Sequence, residues 1–189
     1  MAYLFNQTQL KAQPIFKKVK RMVDPKIQQC KSFCVVGWRY DSSTNIFPLL
    51  HQYGKIHLVE TFYLNIQDFK KKGFDYVNTI NDDIQNYKQL FKKNEIDCLI
   101  WQNGPEHLDK ESGMSILKLL PNWFDLVIVE SISKPEDHSL GMIFGNPYEN
   151  RLSEWTIEDY KQLKYKTIDY NYGIFAMKTN LKAISDASN

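Results

Sequence analysis

Short apolar runs alternate with segments of helical periodicity between residues 33 and 130. Five runs, at residues 33–37, 56–60, 74–80, 96–101 and 124–130, are rich in apolar residues, and residues 33–36 and 126–129 are apolar throughout, as strands buried on both faces are. Between them, apolar residues recur every three or four positions, which predicts helices. Parallel strands joined by right-handed crossovers form a doubly wound α/β sheet. We therefore predict a Rossmann-like, mostly parallel sheet.

The pattern changes after the fifth apolar run. Residues 131–152 show no clear periodicity, and a connection of this length is usually functional or mobile. Thr156 then begins a short helix with a sequence typical of a capping box. Residues 165–170 and 173–178 alternate as two adjacent strands, which predicts a C-terminal antiparallel hairpin.

The chain has 189 residues, enough for one domain with a substantial core. We predict an N-terminal helical extension (1–29), the α/β domain (30–178) and a polar tail (179–189). Basic residues concentrate only near the N-terminus, where we interpret them as the solvated face of a leading helix rather than an anionic docking patch.

Composition narrows the range of partners. A net charge of +2 and the lack of an aromatic-basic patch give no reason to expect nucleic acid binding. No apolar run approaches the roughly 18 residues needed to span a bilayer, so we expect no membrane partner. Cys30, Cys34 and Cys98 have no metal-ligand spacing, and their odd number favours a reducing compartment. We expect a cytoplasmic protein without a metal site.

A glycine and a carboxylate close the first two apolar runs. Gly37 ends the first run, and Glu60 ends the second, 23 positions later. An acid that closes the second strand of a βαβ unit about 20 residues after the glycine turn reaches a ribose hydroxyl. This spacing indicates a nucleoside-containing ligand, and the alternative is a solvated acid at a strand end. The chain contains neither a P-loop nor the three-glycine dinucleotide fingerprint.

Residues 30–178 resemble the class I S-adenosylmethionine-dependent methyltransferases. Five alternating βα units precede a helix and a terminal hairpin, as in that family. The matching segments, in chain order, are Val35-Val36-Gly37, Leu58-Val59-Glu60, Asp82-Asp83-Ile84, Asp97 to Gln102, Glu106-His107-Leu108, and Gly145 to Tyr148 with Ser153 and Trp155. The resemblance implies S-adenosylmethionine as cofactor and methyl transfer to a small-molecule substrate.

The resemblance also implies site residues. The cofactor would contact Gly37, Trp38, Arg39, Glu60, Asp83, Ile84 and Gln102, and Glu106 with His107 would be the catalytic acid–base pair. For Asp82 and Asp83 the alternative is capping of the next helix; for Glu106 and His107 it is ordinary polarity at a helix start.

The first loop departs from the family pattern. It has one glycine, followed by Trp38-Arg39-Tyr40, where the family has further glycine positions and a preceding acid. Bulky side chains hold a backbone further from a ligand. We expect Arg39 to compensate by pairing with the methionine carboxylate, since arginine forms strong charge-assisted bonds. The alternatives to an enzyme of this kind are a non-catalytic binding or partner subunit of the same fold and, less favoured, a nicotinamide-dependent enzyme.

Overall fold

Seven strands form a single mixed sheet in the computed structural model, which describes residues 14–38, 46–132, 146–170 and 173–181. The strands are β1 (Ser32–Val36), β2 (Lys55–Val59), β3 (Val77–Ile80), β4 (Cys98–Gln102), β5 (Leu126–Ile132), β6 (Lys166–Tyr170) and β7 (Gly173–Thr179). Their order is β3-β2-β1-β4-β5-β7-β6. Neighbours among β1 to β5 are parallel, and β7 runs antiparallel to both β5 and β6. The predicted fold class, with its C-terminal hairpin, is confirmed.

Helices connect the strands and cover the sheet. They are α1 (Pro14–Ile27), α2 (Ile46–His51), α3 (Tyr63–Lys70), α4 (Tyr87–Leu90), α5 (Lys110–Leu119) and α6 (Ile157–Gln162), with short 3-10 turns at Ile84–Asn86, Pro105–His107, Leu120–Asn122 and Pro147–Glu149. The predicted capping box is confirmed, since Thr156 and Asp159 bond reciprocally at the start of α6. At the start of α5, the Asp109 side chain accepts from the Ser112 amide.

The sheet carries a buried apolar cluster on each face. One cluster takes Val35, Ile100 and Ile128 from the central strands together with Val19 and Val23 of α1. We call this the α1 face. The other cluster holds the alternate strand positions and residues of α5 and α6, and we call it the α5 face. Because strand side chains alternate, these clusters fix the face on which each residue at a strand end lies.

Three stretches of chain differ in detail from the sequence patterns. The third strand begins at Val77 rather than residue 74, because residues 74–77 form a turn closed by the Val77 amide on the Phe74 carbonyl. The fifth strand continues to Ile132, since β7 pairs with it that far. Asn180 bonds the backbone of Asp125, so the chain stays attached to the sheet just past β7.

Cys30, Cys34 and Cys98 are buried free thiols. Burial raises the pKa of the Cys34 thiol well above its usual range, so this thiol is an unreactive core group. Among the described residues, no helix has the length and apolarity required to cross a membrane.

Candidate functional site

The first strand ends in a left-handed turn. Gly37 has φ of +78°, a conformation that favours glycine, and its amide donates to the Val59 carbonyl at 2.9 Å. A Cβ atom on Gly37 would lie 3.8 Å from the carbonyl oxygen of Gln102. The turn therefore sits at the carboxyl ends of β1, β2 and β4. In open α/β sheets, ligands bind outside these ends of the strands.

Glu60 is buried beside this turn, with 6% of its surface exposed. One carboxylate oxygen accepts from the Trp38 amide at 2.8 Å, and the other accepts from the Phe62 amide at 2.8 Å. The main-chain carbonyl of Glu60 accepts from the Asn81 side chain at 2.9 Å. Glu60 is thus not a solvated acid at a strand end. A carboxylate only accepts hydrogen bonds, so a ligand group that binds Glu60 would have to be a donor such as a hydroxyl.

Trp38 presents its backbone and not its side chain to the edge of the sheet. The indole is 3% exposed and packs edge-on against Phe69, with ring centroids 5.6 Å apart, on the α1 face. The main-chain carbonyl of Trp38 accepts from the Asn65 side chain at 3.1 Å. The bulk of Trp38 therefore fills the core. Arg39, which follows it, lies outside the described residues.

Asp82 and Asp83 both make local bonds after β3. Asp83 accepts from the Gln85 amide at 2.8 Å as the cap of a 3-10 turn, and Asp82 accepts from the Asn86 side chain at 2.7 Å. Ile84 is 3% exposed and belongs to the cluster on the α5 face. The capping alternative thus describes what these acids do in the structure. A contact of Asp83 or Ile84 with a ligand remains a prediction.

Gln102, at the end of β4, belongs to a polar group that the sequence patterns did not identify. It lies level with Glu130 of β5, and the two side chains are hydrogen-bonded. The hydroxyl of Tyr170, the last residue of β6, also donates to the Glu130 carboxylate. Burial raises the pKa of Glu130 to about 7, and the bonds from Tyr170 and Gln102 oppose this shift. Gln102, Glu130 and Tyr170 are named the strand-end triad below.

A glycine makes the triad possible. A Cβ atom on Gly173 would lie 2.7 Å from the Tyr170 hydroxyl and 2.5 Å from the Ser131 carbonyl. The Tyr170 ring folds over this glycine to reach Glu130. The sequence did carry one signal for the triad: Glu130, like Glu60, is an acid that closes an apolar run.

Glu106 and His107 lie in the 3-10 turn after β4. Glu106 is 2% exposed, and burial raises its pKa to about 7 against the opposing effect of His107. One carboxyl oxygen accepts from the Ile132 amide at 3.3 Å, and the other has no partner among the described residues. The His107 ring contacts the Asn150 carbonyl at 3.1 Å.

The same turn anchors the segment that precedes α6. The Glu106 carbonyl accepts from the amides of Leu152 and Ser153, at 2.7 and 3.1 Å. The Ser153 hydroxyl donates to the Leu108 carbonyl at 2.7 Å. The predicted acid–base pair thus joins β4 to the end of the long connection, whose residues 133–145 lie outside the described part. A catalytic role for Glu106 and His107 remains a prediction.

The site therefore has two parts at one edge of the sheet. The Gly37 turn and Glu60 lie over β1 and β2, and the strand-end triad lies over β4, β5 and β6. Within the described ranges, no group of three or more His, Cys, Asp or Glu residues is placed to hold a metal ion.

No family model and no curated protein matches this chain, whereas many solved structures resemble it. An O-methyltransferase family protein from Burkholderia thailandensis aligns with a TM-score of 0.62 at 9% identity, covering 87% of this chain. The alignment spans 57% of that protein's chain.

Two further structures are matched over most of their own length. A SAM-dependent methyltransferase from Archaeoglobus fulgidus aligns with a TM-score of 0.56 at 16% identity, covering 87% of this chain and 93% of its own. Magnesium protoporphyrin IX methyltransferase from Synechocystis PCC 6803, with S-adenosylhomocysteine bound, aligns with a TM-score of 0.58 at 12% identity, covering 86% and 80%. The chain has the fold of the class I S-adenosylmethionine-dependent methyltransferases.

Proposed function

We propose that the protein transfers the methyl group of S-adenosylmethionine to a small-molecule acceptor. The observation that carries this proposal is the junction of β1 and β2, where the left-handed Gly37 turn lies against a buried carboxylate, Glu60, through the Trp38 amide. The fold supports it, because solved methyltransferases share this architecture and one of them holds S-adenosylhomocysteine.

The residues present fit this cofactor. Glu60 would accept from the ribose hydroxyls, and the turn at Gly37 brings backbone rather than a side chain toward the methionine part. Asp83 and Ile84 would contact the adenine, and Gln102 would face the region between cofactor and acceptor. Arg39 would pair with the methionine carboxylate. The cofactor supplies an activated methyl group, and the protein's contribution is in-line positioning of the acceptor.

The proposed acceptor is a small molecule because the chain has no aromatic-basic surface suited to nucleic acid. The magnesium protoporphyrin IX methyltransferase among the similar structures is named for a small-molecule substrate. Glu106 and His107 are proposed as an acid–base pair on the acceptor side. Because Glu106 is almost completely buried, His107 is the member of the pair that an acceptor would reach.

A non-catalytic binding or partner subunit is the second candidate. One observation favours it: both Glu60 oxygens already bond backbone amides, so the turn is held together without a ligand. A domain that kept the fold and lost the cofactor would retain these bonds.

Calorimetric titration with S-adenosylmethionine, S-adenosylhomocysteine and NADH tests the proposal. We expect micromolar binding of the first two ligands and none of NADH. Binding of none of the three would favour the partner-subunit function, and binding of NADH alone would favour a nicotinamide-dependent enzyme.

A further inference from the structure

We infer that Glu130 takes the proton of the methyl acceptor, and that Tyr170 and Gln102 position its carboxylate for this step. The inference rests on the proposed function and deepens it, because it assigns the acceptor's proton to Glu130 rather than to the pair of Glu106 and His107. The acceptor is then a molecule whose nucleophilic oxygen or nitrogen carries a proton.

Gln102 and Glu130 stand side by side near the ends of β4 and β5. Gln102 borders the Gly37 turn through its carbonyl and is level with Glu130 on the next strand. Neighbouring strands are about 4.8 Å apart, so Glu130 stands about 10 Å from β1. An acceptor bound over the end of β4 would lie between a cofactor at the end of β1 and Glu130.

The proposed cofactor site and Glu130 lie on the same face of the sheet. Ile100 and Ile128 lie in the cluster of the α1 face, and strand side chains alternate. Gln102 and Glu130, two positions further along these strands, therefore project to the same face. Trp38, whose amide binds Glu60, belongs to this face as well. The carboxylate of the triad and the proposed cofactor site thus share one side of the sheet edge.

Side chains from β6 and β4 hold the Glu130 carboxylate. The Tyr170 hydroxyl donates to it, and the Gln102 side chain is hydrogen-bonded to it. Its register neighbour on β7, Phe175, is apolar. The tyrosine reaches the carboxylate only because residue 173 is glycine. A carboxylate that is fixed in this way keeps one orientation, as a group that accepts a proton in an active site must.

The proposed step is balanced. The O–H or N–H bond of the acceptor breaks and its proton passes to a carboxylate oxygen of Glu130. The acceptor atom forms a bond to the methyl carbon as the sulfur–carbon bond breaks, and that electron pair returns to sulfur to leave a neutral thioether. Glu130 releases the proton to solvent after product leaves.

Sinefungin tests this inference without a known acceptor, because it carries an amine in place of the transferable methyl group. If the Glu130 carboxylate faces the position of the transferable methyl group, it attracts the ammonium that sinefungin has there. S-adenosylhomocysteine has only a neutral thioether sulfur at this position and gains no such attraction. We expect Glu130→Gln to reduce the preference for sinefungin over S-adenosylhomocysteine about tenfold at pH 8. Tyr170→Phe is expected to reduce it less. Asp169→Asn, an exposed neighbour on β6, is the matched control and should leave it unchanged.

The pH profile provides a second readout. Ionisation of Glu130 should increase the sinefungin preference of the wild type between pH 6 and 8, and Glu130→Gln should remove most of this dependence. Among the described residues, the groups that act on Glu130 are Tyr170, kept neutral because burial raises its pKa far above its usual range, and the uncharged Gln102, and the level residue on β7 is the apolar Phe175. Glu106 also acts electrostatically on Tyr170 and titrates in this range, so Glu106→Gln is measured in parallel.

The outcomes separate the two proposals. A wild type that binds both ligands with the same preference in Glu130→Gln would overturn the inference alone. A wild type that binds neither ligand would overturn the proposed function, and the inference with it. If Glu130→Gln fails to fold, Tyr170→Phe and the wild-type pH profile decide: an unchanged preference in both also rejects the inference.

Discussion

Replacement of Glu60 tests the central junction of the site, because this residue has a structural and a proposed ligand-binding role. Glu60 is 6% exposed and accepts from the amides of Trp38 and Phe62. Glu60→Ala therefore leaves both amides without their acceptor. Each buried donor left unpaired costs about 1–3 kcal/mol. We therefore expect the free energy of unfolding to decrease by roughly 2–6 kcal/mol, which corresponds to a melting temperature lower by about 4–24 °C.

Glu60→Gln separates the two roles. Its amide oxygen can replace one of the two acceptor positions, so we expect roughly half the loss of stability seen in Glu60→Ala. Thermal and urea unfolding followed by circular dichroism measure both variants. Asp68→Asn is the control, because it removes an exposed carboxylate from the adjoining helix.

The ribose contact is measured with adenosine and 2′,3′-dideoxyadenosine, which differ only in the two hydroxyls. We expect the wild type to favour adenosine by about 1–3 kcal/mol, or roughly 5- to 150-fold. In Glu60→Gln this preference should fall to within about threefold. An equal preference in wild type and variant would refute the ribose assignment, and an unchanged melting temperature in Glu60→Ala would refute the structural role.

Three further predictions concern other parts of the molecule. Arg39→Ala should reduce affinity for S-adenosylmethionine about ten- to a hundredfold and leave adenosine unaffected in calorimetric titration; an unchanged ratio would exclude the carboxylate contact. Burial raises the pKa of Glu106 from 4.5 to about 7. Its protonated form therefore contributes stability that is complete below pH 4.5. This contribution, about 3 kcal/mol, is lost as the pH rises through 7. Urea unfolding from pH 5 to 8 should therefore show a shallower decline in Glu106→Gln, and an identical slope would contradict this. Gly173→Ala should cost about 1–3 kcal/mol, since its Cβ would lie 2.5 Å from a β5 carbonyl, and an unchanged melting temperature would argue against the overlap.

The sequence predicted the sheet because each central strand is apolar at consecutive positions. Leu126 to Val129 is one such run, and its two faces do lie in the two different clusters. Helix starts were also readable, since Asp109 and Thr156 satisfy local amides three residues ahead. These signals are local in sequence, or depend on burial alone.

The acceptor side of the site was harder to predict because it depends on contacts between distant residues. Glu130 on β5 and Tyr170 on β6 are 40 positions apart, and the tyrosine side chain reaches the carboxylate across β7, the strand that lies between them. The acid itself was visible as the end of an apolar run, by the reasoning that identified Glu60. Its partner was not visible, because a tyrosine at the end of a strand is an ordinary residue there. Glu106 shows the converse, since its local motif did not reveal that its side chain is buried.

The glycine-poor first loop looks obstructive only if its side chains point toward the ligand. Trp38 shows that the first of them does not, because its indole is in the core against Phe69 while its amide remains at the sheet edge to bind Glu60. Burial of a large aromatic side chain contributes about 2–3 kcal/mol to stability, which a glycine at this position would not contribute. A single glycine, Gly37, then suffices for the left-handed turn. At Trp38 the inward-facing indole leaves the backbone at the sheet edge, as a glycine would.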